Sequence, residues 1–459
     1  MVHDLPVRSH RRRSAAPVVA ALSLLAIGIW LPPPARGAAP SPVAAGPASA
    51  LTNPVPRPST FDYGPGPLPV PVPVPAPVQS PPLVRPHNGV AARLPLGSAE
   101  LKETRSVTSI AKGVTLTTIK RGAPLPKHKR GQAKTGPWVV RELTIDPSVA
   151  QGHLATTFGS SVAGTTPTTT LTRQADALVG VNASYFSIGS KLPGIPVGLT
   201  VSDGRVLSDP SGMGREVTLL VDTARNELHI DKLHWAGRLV GADGTRTLGL
   251  DKVNAAPRGH SQITAFTPKF GKHTPRGKGT EVVLDRHGCA VHVQSHRGAT
   301  LGHGRSSIQA TGAAAHKLRA MVKDGCIDVQ SKLRDTKGAP IDLHPSVSAV
   351  TGRFQLLNEG RVVAPTRHGA FFARHPRTVA GTTWDGKIVF LTIDGGTRHS
   401  IGATLPQAAR VARALGMREA VNLDGGGSTT MAIRGKLANQ VSGGRERAVS
   451  DALVWVRRR

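Results

Sequence analysis

Aromatic side chains are scarce in this chain. Phe, Trp and Tyr together make up 3% of its 459 residues, with only two tyrosines. A long saccharide groove needs a row of aromatic faces to stack sugar rings on, so the composition argues against a processive polysaccharide enzyme. Cysteine is limited to Cys289 and Cys326, which excludes a zinc site built on closely spaced thiols. Acidic residues number 28 against 58 Lys and Arg, a net charge of +30. That imbalance favours an anionic partner; a composition bias of the source genome is the other reading. No segment beyond the N-terminal one is long and apolar enough to span a membrane.

The N-terminus carries Arg8, Arg11, Arg12 and Arg13, then the apolar run 15–31, then the small residues around Arg36. This is the pattern of a secretory signal peptide, residues 1–37; an uncleaved anchor is the alternative. An exported chain argues against nucleic acid as the natural partner. It also makes a Cys289–Cys326 disulfide the preferred reading over two buried thiols. The loss of five Arg and one Asp with the signal leaves a mature charge of +26, so export does not account for the basicity.

Residues 32–86 hold 19 of the 38 prolines. Such a stretch favours extended polyproline II and supplies few backbone donors, so 38–113 reads as a disordered spacer. The folded region is expected over 114–459, open to a division into two lobes. Strand patterns fall at 139–146, 179–182 and 281–285, and hairpins turn at Asp203-Gly204 and Asp385-Gly386. The stretch 234–278 reads as loop-rich, with a short strand at 263–266. Helix patterns cover 171–178, 313–322 and 405–415. The last of these has Thr404 as N-cap, Pro406 in its first turn and Gly416 just past its end. The expected fold class is α+β, with mixed β-sheets and flanking helices.

Chemistry concentrates near the C-terminus. A strand pattern at 419–423 ends on Asp424, followed by Gly425, Gly426 and Gly427 and then Ser428, Thr429 and Thr430. Three glycines in a row weaken a fold unless the backbone needs unusual dihedrals or a ligand must approach closely. A tight Asx-type turn is the other reading. Asp394 likewise ends a strand pattern before glycines, and Glu281 is a third carboxylate to weigh. His287, His292 and His296 lack the spacing of a metal motif. Asp424 with backbone carbonyls is compatible with Ca²⁺ or another divalent cation, but no EF-hand-like ligand series is present.

Several runs taken together resemble the phosphodiester glycosidase family: His375 to Gly381, Leu391 to Gly395, Ser400 to Pro406, Asn422 to Thr430 and Glu446 to Leu453. Upstream, Val181 to Phe186 and Pro196 to Gly198 also fit. The resemblance implies hydrolysis of a sugar-1-phosphodiester on its glycosidic side, within an extracellular anionic glycan or glycoconjugate and without a certain cofactor. Asp424 is then expected to act as base or nucleophile, with Asp394 as a second carboxylate. Arg377 is expected to grip phosphate through its guanidinium fork. Thr378, Asn182, Gly425, Gly426, Ser428 and Thr429 are expected to contact substrate. Two departures stand out: Ala183-Ser184 replaces a Gly-rich stretch, and Gly396 takes the place of an Arg, which shifts a phosphate contact to Arg398 or removes it. A non-catalytic envelope module that binds anionic glycopolymer, and a transferase or lyase acting on the same linkage, are the competing readings.

Overall fold

The computed structural model describes residues 93–126, 135–188, 192–210, 216–323 and 325–458. The signal pattern 1–37 and the proline-rich stretch up to residue 92 lie outside the described residues. The described chain falls within the unit Pro81–Arg459. It is built mostly of strands, 46% strand against 10% helix. The expected α+β class is therefore corrected: this is a multi-sheet β fold with three α-helices among the described residues. The physical reason is that many strands here lack an apolar alternation. Glu103–Ala111 and Ala290–Arg297 are edge strands, exposed along most of their length. A strand with water on both faces has no apolar period to read. For the same reason the stretch expected to be loop-rich contains His234–Gly241 and Thr247–Leu250, which pair with each other. The first strand also begins at Glu103, so the folded part reaches back into the segment 38–113 that was expected to be disordered.

An eight-stranded antiparallel sheet dominates. Its order is Glu103–Ala111, Val114–Arg121, Trp138–Ile145, Ile388–Ile393, Arg377–Thr383, Met417–Asn422, Phe354–Asn358 and Arg361–Val362. Its central strands are covered on both faces. Leu143, Ile145, Phe390 and Val421 meet Leu154, Val179, Val181, Leu453 and Trp455 of a five-stranded sheet. On the other face Val140, Val379, Leu391 and Ile393 pack on the apolar side of helix α3 (Leu405–Ala414). Burial on both faces explains why every residue of Ile388–Ile393 except Thr392 is apolar.

Helix α3 is set by local chemistry. The Thr404 hydroxyl accepts from Gln407 N and the Gln407 side chain accepts from Thr404 N, a complete capping box. Gly416 follows it at φ 85°, a left-handed value that suits glycine. Helix α1 (Thr168–Gln174) lies against the five-stranded sheet, and helix α2 (Gly312–Val322) packs on a separate core with Ile263, Val282, Ile308 and Ile327. Cys289 and Cys326 are disulfide-bonded and join two sheets of that second region. No helix among the described residues is long and apolar enough to cross a membrane.

Candidate functional site

Sheet order brings the chemistry-bearing ends together. Strands Ile388–Ile393 and Met417–Asn422 flank Arg377–Thr383 and run antiparallel to it. Both therefore end on the edge where Arg377–Thr383 begins, with Arg377 opposite Ile393 and Val379 opposite Asn422. Asp394 and Asp424 follow on that one edge. At ~4.8 Å per strand, the two strand ends stand roughly 10 Å apart.

The glycine loop is shaped by close approach. A Cβ on Gly425 would lie 2.8 Å from the Pro376 carbonyl oxygen, and one on Gly427 would lie 2.4 Å from the Arg447 guanidinium. The Asp424 carboxylate accepts from Gly425 N at 2.9 Å and from the Ser428 hydroxyl. That hydroxyl in turn accepts from Arg447 Nη1 at 3.3 Å. Burial pushes the Asp424 carboxyl up to about 6, further raised by Asp451 and opposed by the Ser428 and Gly425 hydrogen bonds and by Arg447.

Tyr185 forms the adjoining wall. Its hydroxyl accepts from Asn422 Nδ2 at 2.6 Å. Burial, with Asp424 nearby, holds its phenol protonated well above the usual range, against the pull of Arg377 and Arg353. Arg353 lies 5.5 Å from the Tyr185 ring centre and 5.3 Å from that of Phe371, within cation–π range. Asp424, Tyr185, Arg353, Phe371 and Arg447 thus combine a desolvated carboxylate, a phenol, an aromatic wall and two cations.

The remaining expected residues serve the frame. Asn182 is fully buried and both ends of its amide are occupied. It donates to the Asp424 carbonyl at 2.7 Å and accepts from the Thr378 hydroxyl at 2.8 Å and from Thr430 N at 3.0 Å. Asn182 and Thr378, both fully buried, accordingly fix the loop from beneath. Arg377 is 2% exposed, and its guanidinium donates to the carbonyls of Ala403, Phe371 and Ala373. Through Nε and Nη2 it holds the aromatic wall in place. Asp394 is 1% exposed and ion-paired with Arg141 at 2.5 Å, with Asn439 and Gln440 N as further donors. Beside it a cavity of about 420 Å³ is lined by residues 397–399 and 440–444, Arg398 among them. Ser428 and Thr429 are buried, and the Thr429 hydroxyl has no partner. Glu281 is fully buried away from this edge, in the second region. Among the described residues no three His, Cys, Asp or Glu side chains converge as a metal set.

Sequence reasoning passed over Tyr185, Arg353, Arg447 and Asp451 as site residues. Arg447 and Asp451 sit inside the run 446–453, and Tyr185 inside 181–186, so the motifs contained them without revealing which side chain faces the site. Arg353 carries no local signal. It is placed by strand pairing, since Arg353 N donates to the Asn422 carbonyl.

The phosphodiester glycosidase family model matches residues 278–456. The motif resemblance therefore holds over a segment that includes Arg353, Arg377, Asp424, Arg447 and Asp451. A curated relative, the SPbeta prophage-derived protein YomE of Bacillus subtilis, is 41% identical over 81 residues, covering 18% of this chain and 13% of YomE. The chain thus spans only about an eighth of that relative's length. Among solved structures, a Burkholderia pseudomallei protein named as exported superposes at TM-score 0.68 and 24% identity, covering 80% of this chain and 98% of that one. A Synechocystis hypothetical protein does so at 0.59 and 19%, covering 78% of this chain and 68% of its own. These two likenesses establish a shared fold.

Proposed function

We propose that this chain hydrolyses the glycosidic bond of a sugar-1-phosphodiester, releasing the free sugar and a phosphomonoester. The observation that carries the reading is the Asp424 carboxylate: desolvated, raised to about 6, and set between the Tyr185 phenol and the Arg447 guanidinium. In this reading Asp424 acts as base. It takes the proton from a water whose oxygen bonds the anomeric carbon, while the bond from that carbon to the phosphate oxygen breaks and its electron pair leaves with the phosphate. The leaving group is already a stable anion, so strong acid assistance is unnecessary. Arg447 and Arg353 offset its growing charge, and Tyr185 and Phe371 provide the apolar face for the sugar ring. Asp394, closed by Arg141, is assigned to the frame.

Export belongs to the same proposal. It rests on the N-terminal pattern and on the exported neighbour of like fold. An anionic extracellular glycan or glycoconjugate would be drawn to the mature net charge of +26, that is +30 less the five Arg and one Asp of residues 1–37, an attraction that salt screens.

The test is release of free sugar from a panel of sugar-1-phosphodiesters, with and without chelator. Folded protein that releases sugar from none of them overturns the reading, and the chelator arm decides whether a divalent cation takes part. Replacing Arg447 by Gln should lower kcat/KM on an active diester roughly 10- to 150-fold, since a charge-assisted contact to phosphate contributes about 1.5–3 kcal/mol. Unchanged kinetics in that variant would remove Arg447 from the phosphate contact.

A further inference from the structure

Positive charge is concentrated on one ribbon of the second region. Between residues 267 and 306 seven Lys and Arg stand against two acids, Glu281 and Asp285. Two segments pair there, with Gly277 opposite Arg297 and Lys278 opposite His296. The pairing continues outward: Thr274 N donates to the Ala299 carbonyl, His273 bridges to Thr300, and Leu301 N donates to the Lys272 carbonyl. This makes a two-stranded ribbon over 272–278 and 296–301, roughly 20 Å long at the usual rise per residue. Its glycines let arginines of the facing segment lie across it. A Cβ on Gly277 would fall 2.1 Å from Arg297 Nη2, and one on Gly298 would fall 2.5 Å from Arg276 Cγ. Lys272, Arg276 and Lys278 are exposed, as are Lys269 and Arg305 just beyond the ribbon. None of these five is ion-paired with an Asp or Glu among the described residues. Asp285 is occupied at the far end of the strand Gly277–Leu284, where it accepts from His287 N and Cys289 N. Glu281 is fully buried and ties the ribbon from within, accepting from the Thr274 hydroxyl on one segment and from Gly298 N and Ala299 N on the other. The exposed cations are thus held on a fixed backbone with no acid facing them.

We propose that this ribbon is a docking surface for a linear, phosphate-linked glycan, which it holds by charge while the Asp424 loop acts on a sugar-1-phosphodiester of that polymer. The identity of the polymer rests on the reaction proposed above; the surface itself does not. Like charges gathered without counter-charges repel one another, and a polyanion laid along them relieves that repulsion. Each phosphate neutralised by a Lys or Arg also releases condensed counterions, which drives association at low salt. Ordered strands present the cations at little further cost in freedom. The choice of partner follows from what the ribbon lacks. Phe270 is the one aromatic residue of 267–306, and it is 1% exposed. The ribbon therefore has no face on which a nucleobase could stack and no aromatic ring to anchor in a lipid interface. Recognition of repeated negative charge remains, and that is the chemistry of a sugar polymer joined through phosphates.

The test is direct binding of a fluorescently labelled poly(glycerol phosphate), a phosphodiester chain without bases, to the full chain at several salt concentrations. The combined variant Lys272→Gln, Arg276→Gln, Lys278→Gln and Arg305→Gln should bind roughly 10²–10³-fold more weakly near ~0.1 M salt. Its salt slope should fall by about 3, since each contact to a flexible strand contributes about 0.7. A control removes the same charge from exposed sites elsewhere, with Lys102→Gln, Lys120→Gln, Arg410→Gln and Lys436→Gln, and should keep an affinity close to that of the wild type. Equal losses in the two variants would mean that net charge alone attracts the polymer, and would overturn the proposal. Tighter binding of single-stranded DNA or of anionic phospholipid vesicles at equal charge would overturn the choice of partner. A wild-type chain that does not bind the probe defeats the proposal without recourse to any variant. On a short diester the ribbon variant should keep the wild-type kcat/KM, while KM for a polymeric substrate should rise. If no sugar is released from any diester, the reaction assignment fails by itself, because binding is read without turnover.

Discussion

Asp424→Asn should lower the turnover of sugar release by roughly 10²–10⁴-fold, the range that a positioned general base contributes. The substitution is close to isosteric. An amide oxygen can still accept from Gly425 N, as the carboxylate does at 2.9 Å, so the glycine loop should keep its shape. Burial already disfavours the charge, holding the carboxyl near 6. Above that pH the neutral variant should therefore be at least as stable as the wild type, by the sign of the linkage. Steady-state kinetics on an active diester, paired with a melting temperature at pH 7.5, separates the two effects. Turnover within a fewfold of wild type would remove Asp424 from the chemistry. Binding affinity gives a second comparison. A protein that merely held an anionic glycan would keep its affinity and have no turnover to lose.

The second large effect is expected in stability, at Glu281. Its fully buried carboxylate accepts from the Thr274 hydroxyl at 2.7 Å, the Ser307 hydroxyl at 2.8 Å, Gly298 N at 2.6 Å and Ala299 N at 2.9 Å. Gln309 and Gln294 side-chain amides add donors at 3.1 and 3.4 Å. Glu281→Ala strands these donors in the interior, a loss of roughly 3–5 kcal/mol for a buried charged network broken from one side. Urea unfolding should show it as a lower midpoint. Glu281→Gln should lose less, because one oxygen remains to accept. An Ala variant with an unchanged midpoint would contradict the structural role. A Gln variant of normal stability but without turnover would return Glu281 to the list of chemical residues.

Glu281 and Asp394 illustrate what local pattern cannot separate. Each is a carboxylate on or just past an apolar strand, as Asp424 is. Glu281 is consumed by six donors contributed by segments up to 28 residues away, and Asp394 by Arg141, 253 residues away. Arg377 shows the same limit for cations. Its place in a family-like run was legible, but the carbonyls that occupy its guanidinium come from the loop 371–373 and from Ala403. Hairpin and helix ends were readable because their causes are local: Asp203 and Gly204 take φ 51° and 71° at a two-residue turn, and Thr404 caps α3 with Gln407 three residues on. The fold class was misread where strands such as Ala290–Arg297 expose both faces and leave no apolar period.

The sequence by itself determined the helix that precedes Asp424, the glycine loop that follows it, and the order of runs shared with the phosphodiester glycosidase family. These depend on short-range backbone preferences and on residue identity. Only the tertiary structure decided which charged groups remain free. Arg447 reaches Ser428 across 19 residues, and Asp451 meets the Asp424 backbone through Ala183, because antiparallel pairing brings distant strand ends to one edge. Desolvation and hydrogen-bond occupancy are properties of that packing, so the difference between a carboxylate that can do chemistry and one that holds the frame is set there.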